Sequence, residues 1–263
     1  MSNLRRIASS KLFVSEPSPR QFGNEANDSN NISWTNPNWL KSRFHFSFAE
    51  WRGGPSNFGV LRVLNDDLVQ PKRGFGKHPH SNMEIVTIVV GPGQVSHKDS
   101  FSNKSEALGR GSVQFMSAGS GVTHSEHNLG DKPVRFIQSW VIPRSYNGKP
   151  IYGSLLETPE RTEARHNAFE HIVGDRKDEA SKAPVKIDAD CNFFLAELEV
   201  GKQVSMKIRE DRQAYILQIE GRSTVSKSFE LEEGDAATAV GSNNLVFDAS
   251  APSLILVIEM QKE

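Results

Sequence analysis

Apolar and polar residues alternate with a period of two through much of this chain, the spacing of strands that bury one face. In "WLKSRFHFSFAEW", Phe44, Phe46 and Phe48 alternate with His45, Ser47 and Ala49. "FGVLRVLNDDLV" reads as another strand with an Asp-Asp turn. Further short strands are predicted over 84–90, 94–98, 112–116 and 134–142, separated by glycine-rich turns at 91–93, 109–111 and 119–121. Both parities of the 84–90 run are largely apolar, as in a strand covered on both sides. Residues 4–7 read as a first strand, although two arginines and several serines nearby also fit a transit peptide. The Asn-, Ser- and Asp-rich run 24–38 reads as an exposed loop.

A polar segment, "LETPERTEARHNAFEHIVGDRKDEASKAP", precedes a second strand-rich half. There "LQIEGRSTVSKSFELEEGDAATAV" repeats the turn grammar of "TIVVGPGQVSHKDS" and "GRGSVQFMSAG" in the first half. Many short strands with even turn punctuation predict a sandwich or barrel, and the echo predicts a duplication. The expected fold class is all-β, with two jelly-roll barrels packed together. The boundary falls between Tyr152 and Ala183, and the domains are assigned as 1–150 and 151–263.

Composition narrows the function. Lys plus Arg number 31 and Asp plus Glu 32, so the net charge is −1. That balance lacks the basic excess a phosphate backbone would attract, so no direct nucleic-acid binding is expected. The one cysteine, Cys191, leaves no intrachain disulfide and no cysteine-rich zinc site, which fits a reducing compartment, cytoplasmic and/or nuclear. No apolar run approaches the roughly 20 residues of a membrane span, so no membrane association is expected.

The chemistry concentrates in two short stretches. "GFGKHPHSNMEIVTIVVG" holds His78 and His80, which project from one face of a strand; Glu84 shares their parity. Pro79 cannot donate to a ladder, which places the pair at a strand start or edge. "GSGVTHSEHN" adds His124 and Glu126, again two residues apart, with His127 on the other face. Three imidazoles and one carboxylate suit a divalent transition metal with positions open to water, O2 or substrate. His45, His97, His127, His166 and His171 read as ordinary surface or core histidines.

These stretches resemble the cupins. "HPHSNMEIVTIVVG" matches the first cupin motif, ending on Gly91, and "GSGVTHSEHN" the second, ending on Asn128, with Gly119 where that motif usually has proline. More closely, "NWLKSRFHFSFAEW", "LRVLNDDLV", "GFGKHPHSNMEIVT", "VSHKDS" and "VQFMSAGSGVTHSEHN" follow the order and spacing of the pirin family, over Trp39 to Pro143. The resemblance implies a bicupin: a metal-binding first barrel and a second without ligands, since no histidine follows His171. It implies His78, His80, His124 and Glu126 as metal ligands, with Glu84, the ligand in many other cupins, as the alternative carboxylate. The implied metal is iron(II) first, with nickel, copper, cobalt or zinc as alternatives.

Two functions follow from the resemblance. One is a dioxygenase that opens a flavonol such as quercetin with O2, in which Glu126 acts as general base. Val86, Ile88, Val90, Phe115 and Met116 are then candidates for its apolar lining, beside their reading as barrel core. The alternative is a non-enzymatic iron-binding nuclear cofactor with a protein partner among transcription regulators. The His-Pro-His-Ser-Asn-Met-Glu sequence departs from the His-Pro-His-Arg-Gly-Phe-Glu of many pirins, which removes an arginine that a partner surface could use. An isomerase or another dioxygenase on the same scaffold is a third reading.

Overall fold

The computed structural model describes residues 3–25, 38–100 and 105–263. The loop expected over 24–38 lies almost wholly outside them. The chain divides into two compact units, one of residues 13–57 and 61–157, the other of residues 1–12, 58–60 and 158–263.

Among the described residues, the first unit has a seven-stranded and a four-stranded antiparallel sheet. The larger runs in the order Ile151–Leu155, Val113–Ser117, Glu84–Val89, Val134–Val141, Leu61–Val69, Leu40–Phe44, Phe13–Ser15. The smaller runs Gly74–His80, Val122–His127, Val95–Asp99, Ser105–Leu108. A core of Trp39, Val69, Val89, Val95, Leu108 and Phe136 takes side chains from both sheets, which makes the unit a two-layer β structure. The strands predicted from alternation lie within a residue or two of their expected places. Two depart: Leu61–Val69 runs straight through Asp66 and Asp67, expected as a turn but paired with a strand on each side, and Leu40–Phe44 ends before Phe46 and Phe48. There Ser47 turns the chain: its N–H donates to Pro55 O and its hydroxyl to Gly54 O, both at 2.7 Å. Phe46 is nonetheless buried.

The second unit repeats the plan, again with a seven-stranded and a four-stranded sheet among the described residues. Its core joins Leu198, Ile216, Ala237 and Val257 of the larger sheet to Ile208, Val225, Leu231 and Phe247 of the smaller. The duplication expected from the turn grammar is therefore present in the strand plan. Leu4–Ile7 is a strand, as expected, but it belongs to this second unit. It pairs with Ala236–Val240, and Arg6 binds Asp235 at 2.6 Å. The first unit accordingly begins at Phe13.

Candidate metal centre

The four-stranded sheet of the first unit brings the histidine-bearing stretches together. One of its two inner strands, Val122–His127, places His124 opposite His78 on one side and opposite Asp99 on the other. Glu126 lies opposite His97. Residues directly opposite in an antiparallel pair project from the same face, so His78, His124, Asp99, His97 and Glu126 form two adjacent rows on one surface. His80 joins them two residues beyond His78. A register shift between His124 and Glu126 against the Gly74–His80 strand marks a bulge, a device that re-aims side chains next to functional sites.

Among the described residues, one donor atom each from His78, His80 and His124 lie within 4.8 Å of one another, and so do donors from His97, His124 and Glu126. His124 and Glu126 are buried, and His78 and His80 are half-buried. The Nδ1 of His78 lies 2.7 Å from the carbonyl oxygen of Gly76, which can only accept, so Nδ1 carries a proton and, in the neutral ring, Nε2 is the bare nitrogen. That bare nitrogen faces Nε2 of His124 at 2.9 Å. Two ring nitrogens at this distance need a proton or a metal between them. Burial, reinforced by the neighbouring imidazoles, lowers the pKa of both His80 and His124 to about 3, which disfavours imidazolium there. The donor set therefore fits a divalent transition metal, with nitrogen ligands to which such ions bind at about 2.0–2.1 Å.

Glu126 is held from both sides. Gln114 Nε2 donates to one carboxylate oxygen and Gln138 Nε2 to the other, each at 3.0 Å. Trp140 Nε1 donates to Gln138 Oε1 at 3.1 Å and so orients that amide. Glu84, the alternative carboxylate, stands in the larger sheet, where Ser117 Oγ donates to it at 2.6 Å. The reason is the turn at Asn82, which has a φ of 50° and carries the chain from one sheet to the other, so strand parity does not extend from His80 to Glu84.

A cavity of about 200 Å³ opens in front of His78, His80 and Glu126. Its walls are aromatic: Phe22, Phe44, Phe48, Phe75 and Trp140. Trp140 meets His80 edge-on at 4.8 Å and Phe48 at 5.1 Å. Val86, Ile88, Val90, Phe115 and Met116, candidates for this lining, do not contribute to it. The four aliphatic residues are buried, and Phe115 lies over Gly153. The cavity draws its apolar wall from the strands Leu40–Phe44, Gly74–His80 and Val134–Val141, the short helix Pro19–Phe22 and the loop after Phe44.

Sequence reasoning also missed the residues around the donors. His97, expected as an ordinary histidine, is fully buried directly behind His124, and its only sequence signal was the His-x-Asp spacing in "VSHKDS". Gln114, Gln138 and Asp67 gave no signal. Asp67 is a buried carboxyl on the cavity wall whose pKa burial pushes up to about 8; Ser42 acts against the shift, and Asp66 and Glu126 add to it. A folded-state pKa above the unfolded value of 3.8 means that folding retains a proton the unfolded chain loses. Stability from this group is therefore lost as pH rises from about 4 to about 8. In metal-free protein, Asp67→Asn is expected to raise the urea midpoint relative to wild type at pH 8 and to change it much less at pH 4. An equal effect at both pH values would contradict a buried, proton-retaining carboxyl.

Gly74 sets the strand spacing beside this centre. A Cβ there would stand 2.2 Å from the backbone oxygen of Glu126 and 2.5 Å from Cα of His127. Gly74→Ala is expected to force the two strands apart, destabilise the unit by about 1–3 kcal/mol and weaken metal binding. Unchanged melting and metal affinity would show that the strand relaxes freely.

Known proteins match this chain over both of its halves. The Pirin family model matches residues 26–141, and the model for the quercetinase C-terminal cupin domain matches residues 176–260. A pirin-like protein of Caulobacter vibrioides is 38% identical over 184 residues, 70% of this chain and 76% of that protein. A quercetin 2,3-dioxygenase of Escherichia coli is 34% identical over 194 residues, 73% of this chain and 79% of that protein. The crystal structure of the bacterial pirin YhhW from Escherichia coli in complex with nickel(II) matches with a TM-score of 0.80 at 24% identity, over 99% of this chain and 100% of that one, a likeness of fold. The fold is thus an all-β bicupin with a histidine-rich cluster in its first barrel. The chain belongs to the pirin family.

Proposed function

We propose that this chain is a metal-dependent dioxygenase that opens a flavonol such as quercetin with O2, holding one metal, iron(II) first, on His78, His80, His124 and Glu126. The observation that carries the reading is the convergence of the three imidazoles and Glu126 beside an aromatic-walled cavity. The name of the Escherichia coli relative supports the substrate class.

The metal would supply a Lewis acid that acidifies the flavonol hydroxyl. Glu126 faces the cavity beside His78 and His80 and receives the hydroxyl proton as general base. Gln114 and Gln138 hold its carboxylate in place while it does so. Phe44, Phe48 and Trp140 flank the flat rings and exclude water.

Oxygen uptake with quercetin, on protein whose metal content is assayed in the same sample, tests the proposal. Metal-dependent uptake that is lost in Glu126→Gln is the expected result. Full occupancy without uptake, across iron, nickel, cobalt and copper forms, would overturn it in favour of a metal-tuned protein that works through protein partners.

A further inference from the structure

A chain of three side chains runs inward from the metal centre and is not needed to complete its donor set. His124 Nδ1 lies 3.4 Å from His97 Nδ1, and His97 Nε2 lies 3.1 Å from Asp99 Oδ2. The side chains of His97 and Asp99 are almost fully buried, at 0% and 1% exposure. The His97 ring is fixed in its plane by Tyr152, stacked on it at 4.2 Å with 14° between the rings. Tyr152 is itself tied through its hydroxyl to Glu106 Oε2 at 3.2 Å.

The hydrogen-bonding direction follows from the chemistry of each atom. Asp99, as a carboxylate, only accepts, so His97 carries a proton on Nε2. When the neutral His97 keeps that proton, its Nδ1 is a bare acceptor. His124 then donates from Nδ1 and presents Nε2 without a proton to the donor cluster. Without this partner the His124 ring can place that proton on Nε2, the atom a metal must take.

We propose that His97, oriented by Asp99 and Tyr152, is a positioning residue that fixes the tautomer and the plane of the His124 imidazole for metal binding. The proposal rests on the assignment of His124 as a metal ligand made above. His97 contributes no metal–ligand bond and acts only through His124. Partners of this kind typically contribute 10–100-fold to metal affinity, because they preset both ring orientation and basicity.

The test is zinc(II) titration of the full chain and of three variants, with no substrate present. His78→Ala probes the donor set itself. His97→Phe retains a ring to stack on Tyr152 but has no acceptor. His97→Asn loses the ring but places an amide oxygen close to where Nδ1 stood. The expected result is that His97→Phe binds zinc roughly 10–100-fold more weakly than wild type, while His97→Asn recovers most of the affinity. In the zinc-loaded, 15N-labelled wild type, a scalar coupling between His124 Nδ1 and His97 Nδ1 is expected across the hydrogen bond. If His97 served only to fill space, the order would reverse, with phenylalanine the better replacement and no coupling observed. A second bound zinc that disappears in His97→Phe would make His97 a ligand and also overturn the proposal. Wild-type protein that binds no zinc, or His78→Ala protein that binds it unchanged, would instead bring down the donor set.

Discussion

His124→Ala is expected to abolish stable metal binding, and with it oxygen uptake, while the protein stays folded. His124 is the donor shared by both clusters, near His78 and His80 on one side and Glu126 on the other. Truncation removes the nitrogen that faces His78 at 2.9 Å and leaves only two half-buried imidazoles and the Glu126 carboxylate. Metal present at 100 times its dissociation constant stabilises the folded form by about 2.7 kcal/mol. Wild type should therefore melt higher when metal is added, and His124→Ala should not. The fold should survive because the imidazole is held neutral by burial, so no buried charge loses its partner, and a single truncation of this kind costs about 1–3 kcal/mol. A variant that retains full occupancy would remove His124 from the ligand set.

Phe136→Ala is expected to give the largest loss of stability. Phe136 is buried in the core of the first unit, in the strand Val134–Val141, between Val89 on one neighbouring strand and Asp67 on the other. Removing the ring leaves a cavity among Trp39, Val69, Val95 and Leu108 and costs about 3–5 kcal/mol. The chain provides a convenient readout, since its described tryptophans, Trp39, Trp51 and Trp140, fall within the first unit and residues 158–263 contain none. Guanidinium unfolding followed by tryptophan fluorescence therefore reports that unit. Its midpoint should fall sharply in Phe136→Ala, with the metal-binding side chains themselves unaltered. A midpoint within experimental error of wild type would mean that the neighbouring side chains collapse into the space.

The strands were legible because alternation is a local property. Glu84–Val89, Val95–Asp99, Val113–Ser117 and Val134–Val141 each lie within a residue or two of their predicted places. Phe46 and Phe48 show the limit of that signal. They keep the apolar period but lie in a loop, because Ser47 hydrogen-bonds across a turn that no periodicity describes. The cavity lining failed for a related reason. Val86 and Ile88 share the parity of His80, but the turn at Asn82 moves the chain to another sheet and resets which face is which.

The sequence by itself determined the all-β duplication and the two short stretches that supply His78, His80, His124 and Glu126, because spacing of two on a strand is enough to put a pair on one face. Only the tertiary structure decided what stands around them. Cross-strand register set His97 opposite Glu126 and Asp99 opposite His124. Packing of a second sheet brought Gln114 and Gln138 onto the Glu126 carboxylate and Trp140 onto His80. These contacts join residues from different strands and sheets, and no local pattern encodes them, because they depend on which strands pair and in which register.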